Sequence, residues 1–520
     1  MNVFPRPLAV IGLFLGLLAL TLPPTETPPV RVTGGLISGT VNREGDVRIY
    51  RGIPFAAPPV GELRWKAPQP VRPWTGVRRC EAFGPSPVQG VPNPFGPWSA
   101  EYLIPKEPIS EDCLYLNVWT AARPVSAKSL RPVLVWIYGG GFSSGGSAVP
   151  IYDGEAMARK GVVFVSLNYR VGPFGFLAHP ALSAESGRNV SGNYGLLDQI
   201  AALQWVKQNI AQLGGDPGQV TIAGQSAGST SVNCLVASPL ARNLFNKAIA
   251  QSGAIFTRTL PTLRQAEEAG MQFMKTVGAS SIAELRAKPA AEIQQKSEGG
   301  NAPIVDGYLL PASIARIFAD RKQNPVALMT GWNEDEGLNG TPKSAADFRA
   351  QLEKQYGPES QNLLKHYPAG DDTEAARSQR NYGRDYAFGV KNYAWATLQS
   401  QQGQPVYVYR FTRKLPATGQ YAHYGAFHTG EVAYAYDNLR YIDRQLRPLN
   451  ETDAELARQM SAYWANFIKT GNPNGKGLPP WPAYSVQKKQ IAELGDRTGP
   501  RTLPDGEALD FLYSLLKRND

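Results

Sequence analysis

Residues 220–228 read Val-Thr-Ile-Ala-Gly-Gln-Ser-Ala-Gly, an apolar, β-branched run that empties into Gly224-Gln225-Ser226-Ala227-Gly228. Strand-forming residues followed by G-x-S-x-G predict a strand that turns sharply into a helix, with the serine at its apex. At so tight a turn, side chains two positions either side of the serine would run into neighbouring backbone, and Gly224 and Gly228 remove them. Ser226 is thereby presented in the open as a candidate nucleophile. A bare G-x-S-x-G is common; the strand ahead of it gives the pattern its weight.

Outward from this point, short apolar runs alternate with helical patterns. Val133–Tyr138, Val162–Leu167, Val220–Ala223, Lys247–Gln251, Val326–Thr330 and Val406–Phe411 read as buried strands. The rhythm predicts an α/β fold with a large, mostly parallel central sheet flanked by helices. Leu197, Ile200, Ala201, Trp205 and Ile210 give a helical face over Leu196–Gln212, stopped by Gly214-Gly215, with Asp216-Pro217 opening a turn. Near the C-terminus, Thr452 and Glu455 form a capping-box pattern ahead of Leu456, Met460, Tyr463, Trp464 and Phe467, and Gly471 ends that helix. Residues 338–400 are polar and helix-prone, as expected of an insertion over one end of the sheet.

An attacking hydroxyl needs a base, and the chain holds four histidines, His179, His366, His423 and His428. In the order nucleophile, acid, base, only His423 and His428 sit well, and spacing does not choose between them. The acid should follow a strand in between. Val326–Thr330 leads to Gly331-Trp-Asn-Glu334-Asp335-Glu336-Gly337, which offers three carboxylates that composition leaves equal. Negative charge developing on a carbonyl oxygen needs donors. The strand ending at Tyr138 enters Gly139-Gly140-Gly141, where missing side chains let backbone N–H groups approach, and the N–H of Ala227 would complete the hole.

Composition narrows the classes. At 520 residues and 56.5 kDa, with 42% hydrophobic and 18% charged residues, the chain is an enzyme-sized globular protein and not a disordered one. Its net charge of +10 comes from scattered lysines and arginines with no aromatic-basic motif, which argues against a nucleic-acid partner. No His-Glu-x-x-His spacing suggests a metal hydrolase. Arg6, the apolar run Leu8–Leu22 and Pro23, Pro24, Pro28 and Pro29 read as a signal peptide or N-terminal anchor over residues 1–27, the one segment offering a membrane contact. Residues 28–520 then form a single domain. Cys234 reads as a small buried hydrophobe.

Several ordered stretches together resemble the type-B carboxylesterase and cholinesterase family of α/β hydrolases. They are Tyr50-Arg-Gly-Ile-Pro-Phe-Ala56, Pro58-Pro-Val-Gly-Glu-Leu-Arg-Trp65, Ser110-Glu-Asp-Cys-Leu-Tyr-Leu-Asn117, Asn168-Tyr-Arg170, Gly192-Asn-Tyr-Gly-Leu-Leu-Asp-Gln199 and Gln251-Ser-Gly253. The resemblance implies the α/β-hydrolase fold, a secreted serine carboxylesterase acting on a small-molecule ester without a cofactor, Ser226 as nucleophile, Glu336 as acid and His428 as base. It implies Gly140, Gly141 and Ala227 as oxyanion donors, a Cys80–Cys113 disulfide worth about 3 to 4 kcal/mol in the loop-entropy account, and Asp198 and Ser252 in a supporting polar network. A noncatalytic adhesion module and a serine amidase share the fold; the intact serine, acid and histidine argue against the former. One departure stands out: the family usually has glutamate before the nucleophile, here Gln225, so the site offers less attraction to a cationic ester.

Overall fold

The computed structural model describes residues 26–122, 129–256, 260–297, 299, 302–337 and 340–517, and the expected leader falls outside these except for Glu26 and Thr27. Those two are tied to the body: Ser38 Oγ donates to Glu26 Oε1 at 2.7 Å and the Gly39 N–H donates to Thr27 Oγ1 at 2.8 Å.

An eleven-stranded sheet organises the chain. In spatial order its strands are Thr40–Val41, Val47–Pro54, Tyr115–Ala121, Val163–Leu167, Arg131–Ile137, Gly215–Gln225, Lys247–Gln251, Ala327–Asn333, Val406–Phe411, Gln490–Leu494 and Gly499–Thr502. The seven from Val163–Leu167 to Gln490–Leu494 run parallel, and the edges are antiparallel. Burial on both faces accounts for the central runs being apolar throughout, Val133, Leu134, Val135, Val163, Phe164 and Ile249 all being inaccessible to solvent. A smaller three-stranded sheet, Val30–Val32, Gly35–Ser38 and Val77–Arg79, packs beside it.

The sheet fixes where chemistry occurs. From Arg131–Ile137 the chain steps to one side, to Val163–Leu167, and then returns to the other side, to Gly215–Gln225. Strand order reverses there, opening a crevice at the carboxyl ends of these strands, the usual ligand position in open α/β sheets. Gly139–Gly141 and Ser226 leave the two strands on either side of that crevice.

All six expected strands form, Lys247–Gln251 and Val406–Phe411 with the expected ends and the other four with different ones. The strand before Ser226 begins at Gly215, because Gly215 pairs with Arg131 and an irregularity between Arg131 and Val133 absorbs Asp216-Pro217 within the strand where a turn was expected. The helix after Asn193 spans Tyr194–Asn209 and is buried nearly all round, so Leu197 and Ala201, expected on its inner face, sit at its margin. The C-terminal helix Glu451–Thr470 buries Leu456, Met460, Tyr463, Trp464 and Phe467 and stops at Gly471 (φ +78°). Its capping box lies two residues earlier than expected: Asn450 accepts from the N–H groups of Thr452 and Asp453, and Asp453 accepts from the Asn450 N–H. Asn450 rather than Thr452 is the residue already in extended backbone, so its oxygen meets the open N–H groups.

Residues 340–400 form helices Ala345–Tyr356, Ser360–His366, Asp372–Arg384 and Val390–Gln401 between two neighbouring parallel strands. Asp385–Gly389 widens into a π-type turn joining the last two.

The Cys80–Cys113 bridge is absent. Cys80, Cys113 and Cys234 are free, buried thiols. The first two feel different charges, Asp198, Arg170, Asp112 and Glu111 at Cys113 and Arg78 and Glu81 at Cys80. Burial raises each thiol above its ordinary range, Cys80 to about 11, so neither is primed as a thiolate.

Candidate active site

The turn at Ser226 has the strained geometry its glycines suggest. Ser226 adopts φ +58°, between strand Gly215–Gln225 and helix Ala227–Ala237. A Cβ on Gly224 would lie 2.4 Å from the Gly228 carbonyl, and one on Gly228 would lie 2.0 Å from the Ile137 carbonyl. The Ser226 N–H donates to the Gln251 carbonyl at 2.9 Å, which ties the apex to the adjacent strand. Ala227 is the first residue of its helix, so its N–H has no partner within that helix.

The three carboxylates after Ala327–Asn333 separate cleanly. Glu334 is taken by two arginines, accepting from Arg384 and Arg410 at 2.8 Å each. Asp335 accepts from the Ala426 N–H at 2.9 Å, steadying the loop that carries the histidine. Glu336 turns inward: Oε1 accepts from the Asn333 N–H at 2.7 Å and from Ser252 Oγ at 2.9 Å, and Oε2 lies 2.7 Å from His428 Nδ1. A carboxylate can only accept, so Nδ1 carries the hydrogen and Nε2 keeps its lone pair. That lone pair accepts from the side-chain amide of Gln225 at 3.0 Å.

Of the other histidines, His423 is exposed against Tyr424, His179 caps a helix through Nδ1, and His366 lies beside Phe511. Asp198 stands apart from the expected network. Its carboxylate is occupied by buried Arg170, at 2.7 and 2.8 Å from the guanidinium and 3.0 Å from the Arg170 N–H, whereas Ser252 does reach Glu336.

Several neighbours had no sequence signal. The π-type turn lays Phe388 flat on the His428 ring, centroids 4.4 Å apart and 19° between planes, a face that favours a cation. Trp98 meets the same ring edge-on and donates from Nε1 to Thr429 Oγ1 at 3.2 Å. Behind Glu336 lies a second buried carboxylate, Glu431, accepting from Asn333 Nδ2 at 2.6 Å and Gln251 Nε2 at 3.1 Å. Glu431 sits three residues beyond His428, on the same loop.

Burial, reinforced by the Glu336 charge, pushes Glu431 up to about 7 from 4.5. A carboxyl that holds its proton more tightly when folded stabilises the fold below its unfolded pKa and loses that contribution as pH rises through the folded value. Glu431→Gln should therefore gain on the wild type as pH rises from about 4.5 to 7, by about 3 kcal/mol if this group titrates alone. Paired urea denaturation across that range checks it; a difference independent of pH would refute it.

Two cavities meet Ser226. One, of about 530 Å³, is lined by Gly139–Gly141, Ser226, Gln225, His428 and aromatic side chains including Phe95, Trp98 and Tyr152. The other, of about 340 Å³, is lined by Ser226, Ala227, Gly141, Ala254, Ile255 and Phe388. Gly140 (φ +110°) and Gly141 (φ +63°) take backbone conformations that suit glycine, and the Gly140 carbonyl accepts from Ser143 and Ser144.

A parallel sheet with a serine at a strand-to-helix turn, and an acid and a histidine on the loops after two later strands, is an α/β hydrolase. The carboxylesterase family profile matches residues 26–511, and the chain belongs to this family of carboxylic-ester hydrolases. It is 37% identical over 474 residues to the fumonisin B1 esterase of Sphingopyxis macrogoltabida, covering 88% of this chain and 85% of that one. It is 35% identical over 503 residues to the para-nitrobenzyl esterase of Bacillus subtilis (strain 168), covering 92% and 97%. A solved structure of a PNB esterase superposes with a TM-score of 0.81 at 32% identity, over 93% of this chain and 99% of that one.

Proposed function

We propose that this esterase works through an acyl-enzyme, with Ser226 as nucleophile, His428 as general base and then acid, and Glu336 holding the imidazole. The observation that supports it most is the Glu336 to His428 Nδ1 hydrogen bond of 2.7 Å, which leaves Nε2 basic on the cavity that Ser226 also lines. Ser226 Oγ takes the place of the Gln225 amide at Nε2, gives up its proton and attacks the ester carbonyl. The carbonyl oxygen becomes an oxyanion that the N–H groups of Gly140, Gly141 and Ala227 receive. His428 then protonates the departing alcohol, and water repeats the cycle on the acyl-enzyme.

Proton delivery gives the cavities their roles. The alcohol must leave where Nε2 can reach it, so it belongs in the aromatic cavity that His428 lines; the acyl group takes the other, lined by Ser226, Gly141 and Ala227. We also read Leu8–Leu22 as an export signal, ahead of one domain.

A fluorophosphonate should label Ser226 in a stoichiometric, time-dependent way. Turnover of p-nitrophenyl acetate should fall toward acid, as it does for any reaction whose general base must be neutral to act. An unlabelled serine, or a flat rate between about pH 5 and pH 9, would contradict these roles. An anilide matched to a good ester should turn over far more slowly; equal rates would make the protein as much an amidase as an esterase.

A further inference from the structure

The 340 Å³ cavity beside Ser226, whose wall mixes Thr230, Ser252 and Lys391 with Ala254, Ile255 and Phe388, adjoins further space on that side. Leu260 and Ala302 form part of its wall, and the same two residues line a further cavity of about 580 Å³. Both volumes lie in the range of small-molecule sites. Among the described residues, Gln265 and Ser297 are the only polar side chains lining the outer cavity; the other described residues of its wall are apolar or glycine.

One wall is helix Leu263–Thr276. It is amphipathic, yet Gly270 is its only fully buried residue. Gly270 brings the helix onto the chain at Ala178 so closely that a Cβ there would lie 1.7 Å from the Ala178 carbonyl oxygen. Ala266, Ala269 and Phe273 line the cavity; Ala269 is exposed and Ala266 half-buried, while Phe273 is half-buried against the small core cluster that includes Leu177. An apolar helix face opening onto a cavity of ligand size is a surface that an apolar ligand would cover.

We propose that the outer cavity receives the distal part of a long aliphatic acyl chain, whose carbonyl sits at Ser226 and whose first carbons fill the inner cavity. This rests on the esterase reading above and adds to it a substrate class: esters of medium to long fatty acids. The acid portion is favoured over the alcohol because the inner cavity adjoins Ser226, Gly141 and Ala227, whereas His428 lines the opposite one. Hydrophobic transfer then raises kcat/KM with chain length, by up to about fourfold for each fully buried methylene.

The test compares p-nitrophenyl acetate, butyrate, octanoate and dodecanoate on the wild type and on Ala269→Trp, with Ala266→Trp as a second variant. Ala269 lies at an exposed helix position, so tryptophan there fills the outer cavity without disturbing the core. The wild type should prefer octanoate and dodecanoate to acetate by about tenfold or more in kcat/KM. Both variants should lose that preference while keeping acetate turnover within about twofold of wild type. A wild-type optimum at acetate or butyrate, or a long-chain preference that survives both tryptophans, would overturn the proposal and leave the esterase reading standing. Failure to hydrolyse any of the four esters would instead remove the esterase reading, and the proposal with it.

Discussion

Ser226→Ala is expected to lower kcat on any good ester by about four to six orders of magnitude while leaving KM within a few fold of wild type. The reason is that nucleophile and base act as one unit. Without Oγ, His428 Nε2 has no hydroxyl to deprotonate, and the only route left is water entering beside the backbone donors of Gly140, Gly141 and Ala227. Such a residue-free route still exceeds the uncatalysed rate, so a small residual activity is part of the expectation. Alanine removes one atom from a half-buried apex that lines two cavities, and the strained backbone at φ +58° is held by the Ser226 N–H on the Gln251 carbonyl. Folding should therefore be unaffected, and a single-turnover burst of p-nitrophenol should disappear. A rate within about tenfold of wild type would mean that another group carries the attack.

How much of this could be read from the chain depends on how local each signal is. The turn at Ser226 was legible because its signal lies within nine residues, a strand, two glycines and a helix start, even though the backbone that excludes a side chain at Gly228 is that of Ile137. The acid was a different matter. Glu334, Asp335 and Glu336 are adjacent and chemically alike, and what separates them is Arg384, Arg410, the Ala426 N–H and His428, all between 48 and 94 residues away in sequence and none marked by spacing. Only the family resemblance pointed to Glu336. The same holds for His428 against His423, where the difference is that one ring lies between Glu336 and Phe388 and the other faces solvent.

The edges of the sheet escaped for a related reason. Central strands are buried on both faces and read as unbroken apolar runs, but Val47–Pro54 and Tyr115–Ala121 carry Arg48, Arg51, Asn117 and Thr120 among their apolar residues. Asn117 is satisfied by Ser147 Oγ and Ser166 Oγ at 3.0 Å each, partners that no local pattern announces. Resemblance also reached too far in two places. It suggested a bridge between Cys80 and Cys113, which are free thiols, and it grouped Asp198 with Ser252 in one polar network, whereas Asp198 pairs with Arg170 and Ser252 with Glu336. Residue identity carried over; the partner did not.

Glu336→Gln should be nearly as damaging as loss of the serine, for a reason that lies in hydrogens and not in charge alone. Glu336 Oε1 faces two donors, the Asn333 N–H at 2.7 Å and Ser252 Oγ at 2.9 Å. In a glutamine of the same shape the amide oxygen must take that place, which turns the NH₂ group toward His428 Nδ1. Nδ1 is then obliged to accept, the ring hydrogen moves to Nε2, and the atom that should take the Ser226 proton already carries one. The Gln225 amide, which donates to Nε2 at 3.0 Å, would also have to reorient. Loss of about three to four orders of magnitude in kcat is expected from this wrong tautomer, with KM and thermal stability close to wild type. The ¹⁵N shifts of His428 provide a check independent of rate: the protonated nitrogen should be Nδ1 in the wild type and Nε2 in the variant. If the variant keeps its proton on Nδ1 and still loses activity, the carboxylate acts mainly by stabilising the imidazolium charge; if it keeps its activity, Glu336 is not the acid of this site.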